Sequence, residues 1–193
     1  MFQELWSAVR VAGATILICA VAYPIAILAV AMAIAPDARL GSLVVNGSGQ
    51  VIGSRLIAQS FTRPEYFWPR PSACDFDASA AAGSNLSPAN PAIAQRAETI
   101  LANLHLGEGE LAPADLVTAS GGGLDPHISD AAASIQAPRV AKARGISENA
   151  VKAVIDQHAE QIPLTGGKSS RIVNVLPLNL ALDDLKAVDA LND

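Results

Sequence analysis

Ser120, Asp125 and His127 fall within eight residues of one another, separated by Gly121, Gly122 and Gly123. A serine nucleophile, a histidine base and an aspartate that orients the base are the parts of a hydrolase, so catalysis is the first chemistry to weigh. The G-x-S-x-G elbow that would expose such a serine is absent, because Thr118 stands two residues before Ser120. Triads are also normally gathered from distant segments rather than from one loop. A second reading fits the same letters: a glycine-rich turn, then an Asp125-Pro126 turn, then Ser129 capping a helix. A membrane-anchored hydrolase using Ser120, Asp125 and His127 stays as the alternative function.

Two other constellations carry less. Gly166-Gly167-Lys168-Ser169 imitates the end of a phosphate-binding loop, but Ile162 stands where its first glycine belongs, and we read a turn. His105, His127 and His158 are scattered, and no H-E-x-x-H occurs, so no zinc site is expected. His158 continues the stripe of Val151, Val154 and Ile155 and reads as a partly buried core histidine.

The elements that must hold these residues begin with a long apolar run. No charged residue lies between Arg10 and Asp37. As a helix, residues 11–36 reach about 37 Å at 1.5 Å per residue, enough for a hydrocarbon core of about 30 Å. The organisation that follows is a short segment 1–10, a transmembrane helix 11–36 and one soluble domain 37–193. A cleaved signal peptide has a shorter apolar core; Ala33-Ile34-Ala35 resembles a cleavage site, but Pro36 directly after it argues for an uncleaved anchor. Phe2 and Trp6 sit where an interfacial aromatic belt would lie. Arg10 precedes the span while Arg39 and Arg55 follow it, so charge alone leaves the orientation open. Cys19 lies in the span and Cys74 in the domain, so the domain has no internal disulfide.

Ala22, Ala26, Ala29 and Ala33 recur at spacings of four, three and four. Such a stripe lets membrane helices approach closely. Alanine is also common throughout this chain, which would produce the same pattern without a partner. Pro24 removes one backbone donor and bends a helix unless its surroundings compensate.

With 13 Lys and Arg against 18 Asp and Glu, the chain has a formal net charge of −5, spread without runs, which argues against a nucleic-acid partner. Residues 42–45 and 50–59 read as a hairpin across Asn46-Gly47-Ser48-Gly49. Phe61, Tyr66, Phe67, Trp68 and Phe76, interleaved with Pro64, Pro69 and Pro71, read as a local mini-core, with a binding surface as the alternative. A helix with the stripe Ile93, Ala97, Ile100, Leu101 and Leu104 starts after Asn90-Pro91. Another runs from Ser129 to Arg144, interrupted near Pro138 and ended by Gly145. A third starts at Ser147. Residues 171–176 alternate like a strand, and 180–191 read as a short closing helix. The order implies an α+β class: a single N-terminal transmembrane helix and one soluble α+β domain with a small sheet.

Several blocks, in order, resemble the C subunit family of the Kdp potassium-transporting ATPase. They are Gly53-Ser54 with Leu56-Ile57 and Gln59; Phe61 and Tyr66-Phe67; Arg70-Pro71-Ser72-Ala73; Gly83-Ser84-Asn85-Leu86; and Asn90-Pro91. The resemblance continues through residues 113–121, residues 123–129 with Leu124, Asp125 and His127, then Pro138-Arg139-Val140-Ala141 and Ala143-Arg144-Gly145. It ends in residues 173–176 and 178–183. Gly122 stands where the family often has serine, Ala81-Ala82 where it often has Ser-Gly, and Ser87 where glycine is frequent.

The resemblance implies a single-pass bacterial inner-membrane subunit with a cytoplasmic N-terminus and an exported domain. It also implies two partners, a P-type ATPase pump subunit and a channel-like potassium-binding subunit. Those partners handle ATP and K+, so no cofactor of its own and no catalysis of its own are expected here. The family is described as needed for assembly and as a chaperone raising the pump's ATP affinity, hence its ATP-binding description. An exported domain could exert that effect only through the membrane helices. Arg70, Pro71, Ser72, Gly83, Ser84, Asn85, Ser120, Gly121, Leu124, Asp125, His127 and Arg139 are the candidates for subunit contacts or folding turns.

Overall fold

The computed structural model describes residues 2–104, 106, 111–163 and 169–192, with 186–192 described by backbone alone. His105 and residues 166–168 of the glycine–lysine turn lie outside the described residues. The chain divides into two compact units, residues 1–43 and 44–193.

The first unit is one long helical rod. It comprises α1 (Phe2–Ile16), a π-helical segment (Leu17–Ala22) and α2 (Tyr23–Ile34), followed by the short α3 (Pro36–Arg39). The helix therefore takes in residues 2–10 as well as the charge-free run. At 33 residues it is long and apolar enough to cross a membrane, and none of its side chains is buried. Pro24 does not break it. The proline has no N–H to donate, and its ring crowds the carbonyl one turn back. The wider π turn lies over those residues, and Pro24 falls in the first turn of α2, where a missing N–H is cheapest. The rod ends at Ala35 (φ −146°, ψ 62°), because a residue before proline is driven out of the helical region.

The second unit opens with the expected hairpin, β1 (Leu43–Val45) and β2 (Val51–Ser54). Asn46 organises its turn: its side-chain Oδ1 accepts from the N–H groups of Ser48 (3.1 Å) and Gln50 (2.9 Å). β2 stops at Ser54, earlier than the alternating letters imply. After an irregular stretch come α4 (Pro91–Leu104) and α5 (Ala114–Val117). Asn90 caps α4 through its side-chain Oδ1, which accepts from Ala92 N (2.9 Å).

The main sheet has three antiparallel strands, β3 (His127–Ser129), β4 (Ala159–Pro163) and β5 (Ser169–Asn174), in the order β3-β5-β4. Ile128 faces Val173 across one ladder and Ala159 faces Val173 across the other. Around it pack α6 (Asp130–Arg144), α7 (Glu148–His158) and α8 (Val175–Asn192). Ser129 and Ser147 cap α6 and α7 as expected, accepting from Ala132 N (3.0 Å) and Ala150 N (3.1 Å). Gly145, at φ +71°, ends α6 in the left-handed conformation that favours glycine.

Four expectations are corrected. α6 runs through Pro138 without interruption. The strand expected over 171–176 ends at Asn174, and Val175 and Leu176 begin α8. There Asn174 Oδ1 accepts from Leu176 N (3.3 Å), and Pro177 sits in the first turn, where it leaves no bond unmade. The closing helix is accordingly longer than 180–191. Phe67 is not part of a merely local cluster. It is fully buried at the centre of the core with Ile128, Val140, Val151, Val173, Leu178 and Leu182, while Phe61 and Trp68 pack on its margin. Burying an aromatic ring of this size dominates the local energetics, at roughly 3 kcal/mol.

Candidate functional site

Three loops that the sequence set far apart meet on the second unit. Arg70-Pro71-Ser72 comes from the proline-rich strap after Trp68, Gly83-Ser84-Asn85 from the irregular stretch before α4, and residues 120–127 from the segment between α5 and β3. Ser120 N donates to Pro71 O (3.1 Å) and Gly123 N to Ser120 O (3.2 Å). A side chain on Gly83 would lie 2.6 Å from Gly121 O, and one on Gly123 would lie 2.5 Å from Cys74 Sγ and 2.8 Å from Ala82 O. Gly123 also has φ +73°, so glycine is required there twice over, by space and by conformation. Leu124 extends the junction, its carbonyl accepting from Ala58 N (2.9 Å) beyond the hairpin. Ser84 is half-buried in this junction, and Asn85 adopts φ +51° at its exposed edge.

Asp125 is the electrostatic centre. Its Oδ2 accepts from Arg70 Nη1 (3.0 Å), and its Oδ1 accepts from the backbone N–H of His127 (3.0 Å) and faces His127 Nδ1 at 3.3 Å. These donors, the His127 ring foremost, hold the Asp125 carboxyl down at about 2. Ser72 Oγ gathers the next turn by accepting from Cys74 N (3.2 Å) and Phe76 N (2.9 Å). Ser72 also lies 3.4 Å from Cys74 Sγ, and its hydrogen bond is the main reason the thiol titrates below its ordinary value.

Ser120 is buried, at 3% exposure, and its Oγ accepts from Asp125 N (3.4 Å). Among the described residues no hydrogen bond joins Ser120 to His127. A nucleophile needs contact both with its base and with a substrate, and here the serine is enclosed and serves its own loop. The second reading of these letters, a glycine turn, an Asp-Pro turn and a Ser129 cap, is what the chain forms. His158 is half-buried with Nδ1 2.9 Å from Val154 O. Among the described residues, no cluster of three or more metal-ligating side chains occurs.

Arg139 lies apart from this junction. It donates to Pro64 O (2.6 Å), Tyr66 O (3.0 Å) and Gln136 Oε1 (2.7 Å), and its guanidinium stacks on the Trp68 ring at 3.7 Å. It therefore fastens the aromatic strap to α6.

Two strap anchors were not singled out from the letters. Asn179 on α8 accepts from Phe67 N (2.8 Å) and donates to Phe67 O (3.0 Å). Gln136 on α6 does the same to Trp68, at 2.8 and 3.2 Å. Two amide side chains thus pair with successive backbone units of the strap as a neighbouring strand would. The signal available was an amide on an apolar helix stripe, Asn179 between Leu178 and Leu182, and Gln136 between Ala133 and Val140. Asp115 acts elsewhere: it accepts from Ser129 N (2.6 Å) and Ser129 Oγ (3.1 Å), clamping the cap of α6.

The chain matches the family K+-transporting ATPase, c chain (KdpC), over residues 5–184. Among curated proteins it is 47% identical over 177 residues to the potassium-transporting ATPase KdpC subunit of Parvibaculum lavamentivorans, covering 92% of this chain and 94% of that one. It is 47% identical over 186 residues to the protein of that name from Caulobacter vibrioides, with 95% and 94% covered. It is 50% identical over 169 residues to that of Variovorax paradoxus, with 84% and 86% covered.

Proposed function

The chain belongs to the KdpC family of K+-transporting ATPase c chains, and from that premise we propose that it is an accessory subunit without chemistry of its own. Its role in this reading is to assemble and stabilise the potassium-uptake complex. The P-type pump subunit hydrolyses ATP and the channel-like subunit conducts K+, so this chain holds neither ligand. The carrying observation is the use made of Ser120, Asp125 and His127: each is engaged in closing the loop junction, and the serine is enclosed. Replacing Ser120 by alanine in the complex tests this. K+-stimulated ATP hydrolysis per assembled complex is expected to stay within about two-fold of the parent, and a fluorophosphonate probe is expected to leave the parent and the Ser120→Ala chain equally unlabelled; labelling of the parent alone would show a nucleophilic serine.

The reading also places the single span in the inner membrane, with the N-terminus cytoplasmic and the soluble unit exported. Any effect on the pump's ATP affinity then passes between membrane helices as a coupling free energy, since ATP binds on the opposite side. Cys74 reports the orientation. It is half-exposed, and its thiol is shifted towards the reactive thiolate. A membrane-impermeant maleimide is expected to label Cys74 in intact spheroplasts; labelling only after lysis would place the domain inside.

A further inference from the structure

A groove of about 780 Å³ lies between the strap, the end of α4 and the outer side of α6. Its volume is that of a ligand-sized site. Trp68, Leu104, Leu106, Ile135 and Pro138 supply apolar walls, and Arg139 and Lys142 bring positive charge.

Among the described residues the charge is uncompensated. Arg63, Arg70, Arg144 and Arg171 each hold a carboxylate at 2.6–3.1 Å. Arg139 does not; its acceptors are two carbonyls and an amide oxygen, and its buried Nε has no hydrogen bond. Burial pushes its pKa down to about 10, as expected of a guanidinium removed from water without a counter-ion. Lys142, three residues on and so on the same side of the helix, is exposed and has no ion pair among the described residues. A desolvated cation beside an apolar trough is costly for a surface exposed to water alone, and an anion arriving with apolar area relieves both terms. Tryptophan and arginine are also the residues that most often carry binding energy at protein interfaces.

We infer that this groove seats a segment of another subunit of the same complex. An aromatic or branched aliphatic side chain of that segment fills the Trp68–Ile135 trough, and its carboxylate lies at Arg139 and Lys142. The inference rests on the family reading above, which supplies the complex.

The test uses the whole complex, purified in mild detergent, with a photoreactive phenylalanine analogue replacing Lys142. A cross-link from position 142 to an acidic, apolar segment of another subunit is expected, with none from the same analogue at Lys152 on α7. Lys142→Glu should lower the amount of this chain retained after a moderate-salt wash by about ten-fold. Reversing the charge of the cross-linked acidic residue should restore it. Among the described residues the Lys142 side chain has no hydrogen bond or ion pair, so the variant is expected to keep its far-ultraviolet circular dichroism. Cross-linking to residues 107–110 of this chain, to lipid, or to nothing while the other subunits co-purify would overturn the inference and leave the family reading standing. Unchanged retention of Lys142→Glu would also overturn it. Elution of this chain without other subunits would overturn the proposed accessory role and, with it, this inference.

Discussion

Asp125 shows how the loop junction is held by charge. Three donors converge on one carboxylate that is 36% exposed. A shift from the ordinary 3.8 to about 2 corresponds to roughly 2.5 kcal/mol, which solvent screening at this exposure reduces to about 1 kcal/mol. Because the folded pKa is depressed, this stability is complete above about pH 4 and is lost as pH falls through about 2. Asp125→Asn is therefore expected to be about 1 kcal/mol less stable than the parent at pH 7, with the gap closing between about pH 4 and 2. Denaturant titration followed by near-ultraviolet circular dichroism measures it; an undiminished gap at pH 2 would show that the charge is not what matters. The adjacent glycines show what letters alone conceal. Gly121 and Gly122 have open space where a side chain would go, whereas Gly123 has none and a positive φ. That is why a serine at position 122 would be accommodated there, and why only the backbone separates three identical residues.

At the scale of elements, the helices that carry their own start and stop signals were legible. Asn90, Ser129, Ser147 and Gly145 are local devices, and each acts where its chemistry places it. The short strands were not. β3 has three residues, too few for a period, and β4 (AEQIP) is half polar; both exist through pairing with β5. The start of α8 was hidden by Val175 following an alternating run, although Asn174 and Pro177 together mark a helix beginning. The strap was legible as aromatic but not as central, because its burial depends on Asn179 and Gln136, more than sixty residues away. Asn179→Ala removes both bonds to Phe67 and leaves a buried N–H and C=O unpaired, at a cost of about 2–4 kcal/mol. For a domain of this size the melting temperature should fall by roughly 6–12 °C. A change below about 1 °C in a thermal melt would mean that the strap is held by packing alone.

Over the whole molecule, the charge-free run and the soluble unit are separate compact bodies, and each carries a different part of the proposed role. The run was legible at once, because membrane length is a matter of counting. Its extension back to Phe2 and its π turn were not, since the first needs only helix continuity and the second answers Pro24. The junction of three loops could be suspected only from resemblance, since no local pattern ties Gly83 to Gly121. Ala26, Ala29 and Ala33 follow Ala22 at helical spacing along α2. If that stripe packs on partner helices, replacing all four alanines by leucine separates close backbones and should deplete the complex of this chain. The most direct measurement is affinity purification of the full-length tagged chain in mild detergent, with subunit content and K+-stimulated ATP hydrolysis read from the eluate. The parent chain is expected to bring the pump and channel-like subunits together with that activity. Recovery of the parent chain alone, without ATP hydrolysis, from membranes that contain those subunits would contradict the assignment of this chain as a working part of the complex.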